Sequence, residues 1–440
     1  MGDKNQKTKK IRENRSKWEK MGKIGANGRK YEKMGESRSK WENIGENRVK
    51  WENIEVNGGK WENSGKNRDE PLVIGPLGTS DLVCLSCYSP ILEEDFFKCP
   101  DCFWPMCSMS CALDESHAVE CSWLEEDKTH CGAPTCLGET PRYDLIFILR
   151  CLILKERNPK AWRIMFEMAS HGNRLKESNE PHQVAAVRYF KDICKMHIGE
   201  DEIHHIRGVV LANAIEIRSK MGTIIKVLYP TVRFLNHSCI PNVHLTSTPE
   251  GHMEMRAAID INKGDELAIS YTGTDSPVWE RQSCLVENHF FTCMCKRCRD
   301  PTELGSYFSS PRCPICPSVI MHYFVQEENI TWRCSKCHSE SSVDEIIQEI
   351  HDWTFRLEMN DLFGTGSPSK ISHALAVIEQ RFHIKHYMWL RASQKALQKL
   401  QYNNSFSALK LKRYIWEKIN DIFDYIEPGI TRRKGKSILL

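Results

Sequence analysis

Cysteine is the residue type with the most chemistry to offer in this chain. There are 20 among 440 residues, nine between Cys84 and Cys136 and seven between Cys293 and Cys337. The first cluster runs Cys84-x2-Cys87, Cys99-x2-Cys102, Cys107-x3-Cys111 and His117-x3-Cys121. A two-residue knuckle aims both sulfurs at one ion, and residues four apart on a helix share a face. These eight donors predict two closed tetrahedral zinc sites, structural ones because no coordination position is left for a substrate. Cys131 and Cys136 complete no set and read as free thiols. Cys313-x2-Cys316-x17-Cys334-x2-Cys337 is a self-contained zinc-ribbon pattern. Cys293-x-Cys295-x2-Cys298 supplies three donors and needs a fourth from elsewhere.

Two stretches between the clusters hold the other candidates. They are Phe234-Leu235-Asn236-His237-Ser238-Cys239-Ile240-Pro241-Asn242-Val243 and Gly264-Asp265-Glu266-Leu267-Ala268-Ile269-Ser270-Tyr271. A lone histidine or a tyrosine ending a strand ordinarily packs in a core. In these contexts His237 and Tyr271 become site candidates.

The elements that must position them follow from periodicity. Residues 1–69 carry a degenerate repeat around Lys-Trp-Glu, with its aromatic at Trp18, Tyr31, Trp41, Trp51 and Trp61. Few aliphatic residues accompany it, and a ten-residue spacing is no heptad, so a disordered basic tail is expected. It holds 19 Lys+Arg against 11 Asp+Glu, a charge of +8, and the rest of the chain is +3 − 8 = −5. That imbalance excludes a uniformly basic nucleic-acid binder. Order is expected from about Glu70. Residues 141–198 read as helical, and Ile206–Ile217, Thr223–Leu228, Val243–Thr248, Met253–Ala257 and Glu266–Tyr271 as short strands. Helical periodicity returns from Val343 to Tyr425. The longest apolar run, Asp144 to Leu154, is interrupted by Arg150 and too short to span a bilayer. The first residues are charged and show no secretory signal, so a reducing compartment without disulfides is expected.

The first cysteine cluster closely resembles a MYND finger, and the Asn-His-Ser-Cys and Gly-Asp-Glu-Leu-x-Ile-Ser-Tyr stretches resemble the SET methyltransferase core. With Phe291-x-Cys293-x-Cys295-x2-Cys298 downstream, residues 70–430 resemble the SET and MYND domain-containing (SMYD) family, and the added ribbon looks like its arthropod SmydA-like branch. Arg207-Gly208-Val209-Val210-x2-Asn213-x-Ile215-Glu216-Ile217 and Leu149-Arg150-Cys151-Leu152 match the same family.

The resemblance implies an α+β fold: a SET β-core with an inserted MYND finger, a post-SET zinc, a zinc-ribbon-like insertion and a helical C-terminal domain. The implied boundaries are a tail at 1–69, a remnant of the first SET part at 70–83, the finger at 84–121 and a helical insertion at 122–203. The SET core would follow at 204–275, the post-SET segment at 276–300, the ribbon at 301–342 and the helical domain at 343–440. In the finger, Cys84, Cys87, Cys107 and Cys111 would share one zinc and Cys99, Cys102, His117 and Cys121 the other. Cys239 would complete the set of Cys293, Cys295 and Cys298, giving four zinc ions in all. Asn213, Asn236, His237 and Phe291 would line a pocket for S-adenosylmethionine, and Tyr271 would be catalytic, orienting a lysine amine. The implied partners are a protein substrate with a target lysine and proline-rich peptides at the finger. Nucleic acid and membrane are not expected partners, a monomer is, and the implied location is cytoplasm and nucleus.

Three departures from the family pattern keep a second reading open. No G-x-G turn occurs in residues 1–69, Arg233 stands where a small Ser is usual, and His289 replaces a phenol. Ala212 replacing a frequent Cys is milder. The leading reading is a protein-lysine N-methyltransferase acting on histone or non-histone proteins. The other is a catalytically inactive adaptor or transcriptional co-regulator.

Overall fold

The apolar run around Arg150 builds the central helix of one compact unit. The computed structural model describes residues 68–92, 97–125, 135–136, 140–178, 181–262, 264–326, 329–359, 362–364 and 366–429. The repeat up to residue 67 and Cys131 lie outside them, as does the side chain of Cys136. Among the described residues one unit holds 68–272 and 283–293, and the other 273–282 and 294–429.

The first unit begins with β1 (Arg68–Asp69), β2 (Val73–Pro76), β3 (Phe97–Lys98) and β4 (Pro105–Met106), then the finger helices α1 (Met109–Ala112) and α2 (Glu115–Glu125). The short pair β5 (Thr135–Cys136) and β6 (Thr140–Pro141) leads into α3 (Tyr143–Arg157). Helices α4 (Pro159–Phe166), α5 (Gly172–Ser178), α6 (Pro181–Arg188) and α7 (Glu200–Asn213) follow. The sheet strands are β7 (Ile215–Arg218), β8 (Ile224–Leu228), β9 (Asn236–His237), β10 (Val243–Ser247), β11 (Met253–Ala257) and β12 (Ala268–Ile269). They form small sheets ordered β2-β8-β7 and β1-β11-β10, plus a parallel pair β9-β12.

Helix α3 buries residues on every side, among them Tyr143, Ile146, Phe147, Leu149, Cys151 and Leu152, as an all-round apolar helix must. It lies against β2 so closely that a Cβ on Gly75 would come within 2.6 Å of the Phe147 ring. Glycine is what lets strand and helix touch there. The expected strand at 206–213 is instead the end of α7. Ile203, Ile206 and Val209 are buried at spacings of three, a helical stripe, while the acidic Glu200, Asp201 and Glu202 occupy the first turn. Only Ile215–Arg218 of that stretch is strand, and of Glu266–Tyr271 only Ala268–Ile269.

The second unit contains the start of α8 (Val278–His289), the short α9 (Lys296–Arg299) and the antiparallel sheet β13 (His322–Gln326), β14 (Asn329–Arg333) and β15 (Glu340–Ser342). Four helices complete it: α10 (Val343–Glu358), α11 (Pro368–Phe382), α12 (Tyr387–Leu400) and α13 (Phe406–Ile426). Each starts at a side-chain cap, Ser342, Ser367, His386 and Ser405 in turn, which satisfies N–H groups the helix leaves open. Their apolar faces share one core with Trp279, Phe308, Tyr323 and Trp332. Among the described residues no helix is long and apolar enough to cross a membrane.

Candidate functional site

The metal sets are built by repeated knuckles. After Cys84, Cys99 and Cys334 the chain closes the same turn: the N–H of Tyr88, Phe103 or His338 donates to the carbonyl of that cysteine at 3.0 Å. The same three residues take positive φ, at 61°, 61° and 58°. That left-handed step is what folds both cysteines of each pair toward one point. The ligand atoms of Cys84, Cys87, Cys107 and Cys111 lie within 4.8 Å of one another, as do those of Cys99, Cys102, His117 and Cys121. The same holds for Cys313, Cys316, Cys334 and Cys337 in the second unit. Two sulfurs about 2.3 Å from a tetrahedral zinc stand about 3.8 Å apart. Cys87–Cys107 at 3.6 Å, Cys99–Cys121 at 3.7 Å and Cys313–Cys337 at 3.6 Å fit that geometry. In the first unit Cys239 Sγ is 3.9 Å from Cys293 Sγ, and Cys295 and Cys298 follow two and five residues further along the chain. His117 and Cys121 share α2 as the spacing required, whereas Cys107 precedes α1, whose N-cap is Ser108.

Residues outside the motif spacing support these sets. His117 turns Nε2 to Cys102 at 3.5 Å and Nδ1 to Glu120 at 3.1 Å. Glu120 is paired with Arg150, whose Nε lies 2.5 Å from its carboxylate. The Arg150 guanidinium also donates to the carbonyls of Ile74 and Leu85 and to the Tyr88 hydroxyl, at 2.7, 2.8 and 2.7 Å. One half-buried cation thus ties a metal-set histidine, a knuckle and strand β2 to α3. The charge that interrupts the apolar run is there for this purpose. Glu120 escaped the sequence reading, although its place three residues after His117 on one helix was a usable signal.

The second candidate site lies where two motif stretches are stitched together. β9 and β12 pair Asn236 with Ala268 and His237 with Ile269. Asn242 fixes the register: its Oδ1 accepts from the Ala268 N–H and its Nδ2 donates to the Glu266 carbonyl, both at 2.8 Å. The N–H of Tyr271 then donates to His237 Nδ1 at 3.0 Å. Nε2 of His237 lies 3.3 Å from Cys239 Sγ. With Nδ1 accepting, the proton sits on Nε2, so this imidazole is a strut between a metal-set sulfur and the Tyr271 backbone.

The Tyr271 hydroxyl donates to the Leu235 carbonyl at 2.6 Å. The Tyr271 ring stands 5.3 Å from the His237 ring and 4.8 Å from the His289 ring, centre to centre, and the Phe291 ring lies 5.9 Å from His237. Burial, then the Glu266 charge, pushes the Tyr271 phenol up to about 12, so it keeps its proton at neutral pH. Burial, then His237 and His171, pushes His289 down to about 4, so its ring is neutral there. Phe290, at φ 60°, makes the turn after α8 that sets His289 and Phe291 beside this cluster.

The remaining candidates are placed differently. Asn213 ends α7 and gives both amide hydrogens to the carbonyls of Ala169 and Val209, each at 2.8 Å. Asn236 is exposed and donates to Glu266 at 2.6 Å. Arg233 spends its guanidinium on the carbonyls of Pro230 and Ile164, at 3.2 and 2.9 Å, and lies over the Phe234 ring. Asp69, another residue missed, accepts from the N–H groups of Thr231 and Val232 at 2.8 and 2.9 Å and so pins the entry to the motif.

Comparisons with known proteins agree with this geometry. The SET domain family matches residues 135–272. The SET domain-containing protein SmydA-8 of Drosophila melanogaster is 24% identical over 283 residues, 62% of this chain and 59% of that protein. The human N-lysine methyltransferase SMYD2 is 27% identical over 227 residues, 49% of this chain and 50% of its own length. A SET and MYND domain-containing protein of Dictyostelium discoideum is 41% identical over 71 residues, 16% of this chain and 21% of that protein. The chain therefore spans between half and two thirds of the length of the fly and human relatives. Paired motif stretches, metal sets at MYND spacing, a helical C-terminal region and these relatives agree: the chain holds a SET domain and is similar to SET and MYND domain-containing (SMYD) proteins, with the SmydA branch among its relatives.

Proposed function

We propose that this chain is an S-adenosylmethionine-dependent protein-lysine N-methyltransferase of SET/MYND type. The observation that carries the reading is Tyr271, held at both ends, its N–H on His237 and its hydroxyl on the Leu235 carbonyl, with the rings of His237 and His289 against its own. That surrounding fits a sulfonium group, since carbonyl oxygens and ring faces attract a cation and the neutral His289 adds no opposing charge. S-adenosylmethionine, when bound, supplies a methyl group on a positively charged sulfur.

The chain's own residues do the rest. Phe291 and the His237 ring face would wall the pocket, while the His237 nitrogens stay committed to Cys239 and Tyr271. Asn213 and Asn236 would contribute their amide oxygens or main chain, because their side-chain N–H groups are engaged as described. Tyr271 would accept a hydrogen bond from the substrate amine through its oxygen while its own proton stays on Leu235. A lysine amine has a free pKa of about 10.4. Burial between Tyr271 and His289 would lower it and free the lone pair. Alignment for in-line displacement then dominates the rate. Histone or non-histone proteins would be the substrates, cytoplasm and nucleus the setting, and proline-rich peptides the partners of the finger. Cys239, Cys293, Cys295 and Cys298 would hold the fourth zinc, after the two of the finger and the one of the ribbon.

The test is transfer of a labelled methyl group from S-adenosylmethionine to histones or a cell protein extract. Wild-type protein should label lysines, and Tyr271→Phe should abolish labelling. Loss of one hydrogen bond to Leu235 should cost that variant only about 1 kcal/mol of stability. Equal labelling by both proteins would overturn the role of Tyr271.

One observation favours the adaptor reading. The G-x-G turn is missing from residues 1–69, and the side-chain hydrogen-bond donors of Asn213 and His237 are spent inside the protein. An inactive protein that binds proline-rich peptides through the finger would support it.

A further inference from the structure

Three fully buried charges of the second unit lie beside Cys298. The side chains of Arg281, Arg297 and Glu303 have no exposed surface. Ions removed from water must be answered by partners, because lost hydration destabilises each of them. Glu303 answers two at once: its Oε1 lies 2.9 Å from Arg281 Nη2 and 3.0 Å from Arg297 Nε. Its Oε2 accepts from the Ser309 N–H at 2.6 Å. Arg281 Nη1 donates to the Ser276 carbonyl at 2.7 Å, and Arg297 Nη1 to the Thr274 carbonyl at 2.8 Å.

A further contact leads to sulfur. Arg281 Nη2 also donates to Cys298 Sγ at 3.9 Å, and Cys298 is 4% exposed. The guanidinium thus serves the Ser276 carbonyl, Glu303 and Cys298 from one rigid plane, which a lysine ammonium cannot do. Arg281 stands in the first turn of α8, where the helix dipole disfavours a cation. A negatively charged acceptor in the direction of Cys298 accounts for a cation kept both there and out of water. A neutral thiol is a weak acceptor, whereas a zinc ligand is a thiolate.

Residues of the ribbon sheet hold both partners in place. The Tyr323 hydroxyl on β13 donates to the carbonyls of Arg297 and Cys298, at 3.0 and 3.3 Å. Trp332 Nε1 on β14 donates to the Ser309 carbonyl at 3.1 Å. Ser309 Oγ in turn accepts from the Val278 N–H at the start of α8, at 2.8 Å. The same sheet therefore fixes the backbone of Cys298 and the helix that carries Arg281.

We infer that Arg281 is a positioning residue for the fourth zinc: its guanidinium donates to the metal-bound thiolate of Cys298 and restrains that sulfur. The inference rests on the fourth zinc of the proposed function and not on methyl transfer. A charge-assisted donor draws electron density from a zinc-bound sulfur, so its lone pair attacks electrophiles more slowly.

Timed alkylation of the full chain with iodoacetamide under excess zinc, read cysteine by cysteine by mass spectrometry, tests it. In the wild type, chelating the zinc should speed labelling of Cys298. Arg281→Lys keeps a charge beside Glu303 but loses the planar fork. With zinc present it should speed Cys298 labelling about tenfold, the factor that one hydrogen bond to a charged group represents. Arg281→Met should do at least as much. Cys313 and Cys337 of the ribbon should keep their wild-type rates in Arg281→Lys. Ser309→Ala loosens the same network without touching the sulfur contact, and should leave Cys298 near its wild-type rate. An unchanged Cys298 rate in both Arg281 variants, with zinc protection intact, would overturn the inference and leave the fourth zinc standing. Equal acceleration in Ser309→Ala, or of the ribbon cysteines in Arg281→Lys, would reduce Arg281 to a packing role and overturn it too. A Cys298 labelled at one rate with and without zinc would overturn the fourth zinc and the inference with it.

Discussion

The N–H of Tyr271 donates to Nδ1 of His237 at 3.0 Å, across 34 residues of sequence. This bond makes one site of two stretches that are separate in the chain. It also ties the position of the phenol to a metal set, because the other nitrogen of the same ring faces Cys239. Damage to the metal set should therefore move Tyr271 before it unfolds the β-core.

Zinc content is expected at four ions per chain. The sixteen Cys and His ligands expected from the spacing and the family resemblance would make four sets of four. Two or fewer ions by elemental analysis of undamaged protein would contradict this. Chelation should unfold the finger and the ribbon, whose folding energy is largely metal binding.

Arg150→Leu should destabilise the first unit by about 3 kcal/mol, because it leaves the buried Glu120 carboxylate with His117 alone and no cation of its own. The partners lie 2.5 Å apart, and their side chains are 15% and 1% exposed. Denaturant unfolding gives the number. A double variant, Arg150→Leu with Glu120→Leu, should recover part of the loss. A single variant within 1 kcal/mol of wild type, by the same measure, would show that the network is not structural.

Asp69→Ala should cost about 2 kcal/mol, since the buried N–H of Val232 and the part-buried N–H of Thr231 lose their acceptor. Asp69→Asn keeps an acceptor oxygen and should recover about half of that. Thermal melts of the three proteins check the order.

The helical unit should lose stability in mild acid. Burial pushes His383 down to about 4 and His386 well below its usual range. Nε2 of His383 faces the carbonyls of Tyr307 and Ser310, and its Nδ1 accepts from the Lys385 N–H. Nδ1 of His386 accepts from Met388 N–H at the start of α12, where a positive charge is also disfavoured. Protonation thus favours the unfolded chain. The contribution is complete above about 6.5 and falls away as pH drops toward 4, with a slope approaching about 1.4 kcal/mol per pH unit for each histidine. His383→Gln should flatten the unfolding profile between pH 6.5 and 4.5, values within that range. An unchanged profile would contradict the contribution of His383.

Much of this was legible in the sequence because ligand spacing and motif order are local properties. The knuckle pairs at Cys84, Cys99 and Cys313 and the whole ribbon set could be named from spacing, since a knuckle is closed by residues a few positions apart, while the interleaving of the finger pairs came from the resemblance to a MYND finger. The helical C-terminal region was legible from periodicity, and the α+β architecture from the resemblance of the motif stretches to the SET core. Strand assignment at 206–213 failed because Val209 and Val210 favour strands by type, while packing of Ile203, Ile206 and Val209 on α3 selects a helix. Long-range bonds were invisible. Nothing local shows that Asp69 would reach Thr231, that Arg150 would reach Glu120, or that Arg233 would bind the Ile164 carbonyl.

Titration calorimetry of the full chain with S-adenosylmethionine tests the central claim most directly. A pocket walled by His237, Tyr271, His289 and Phe291 predicts saturable binding of one molecule per chain, retained in Tyr271→Phe. The absence of any binding heat up to millimolar cofactor, in a protein with its full zinc content, would contradict the methyltransferase account.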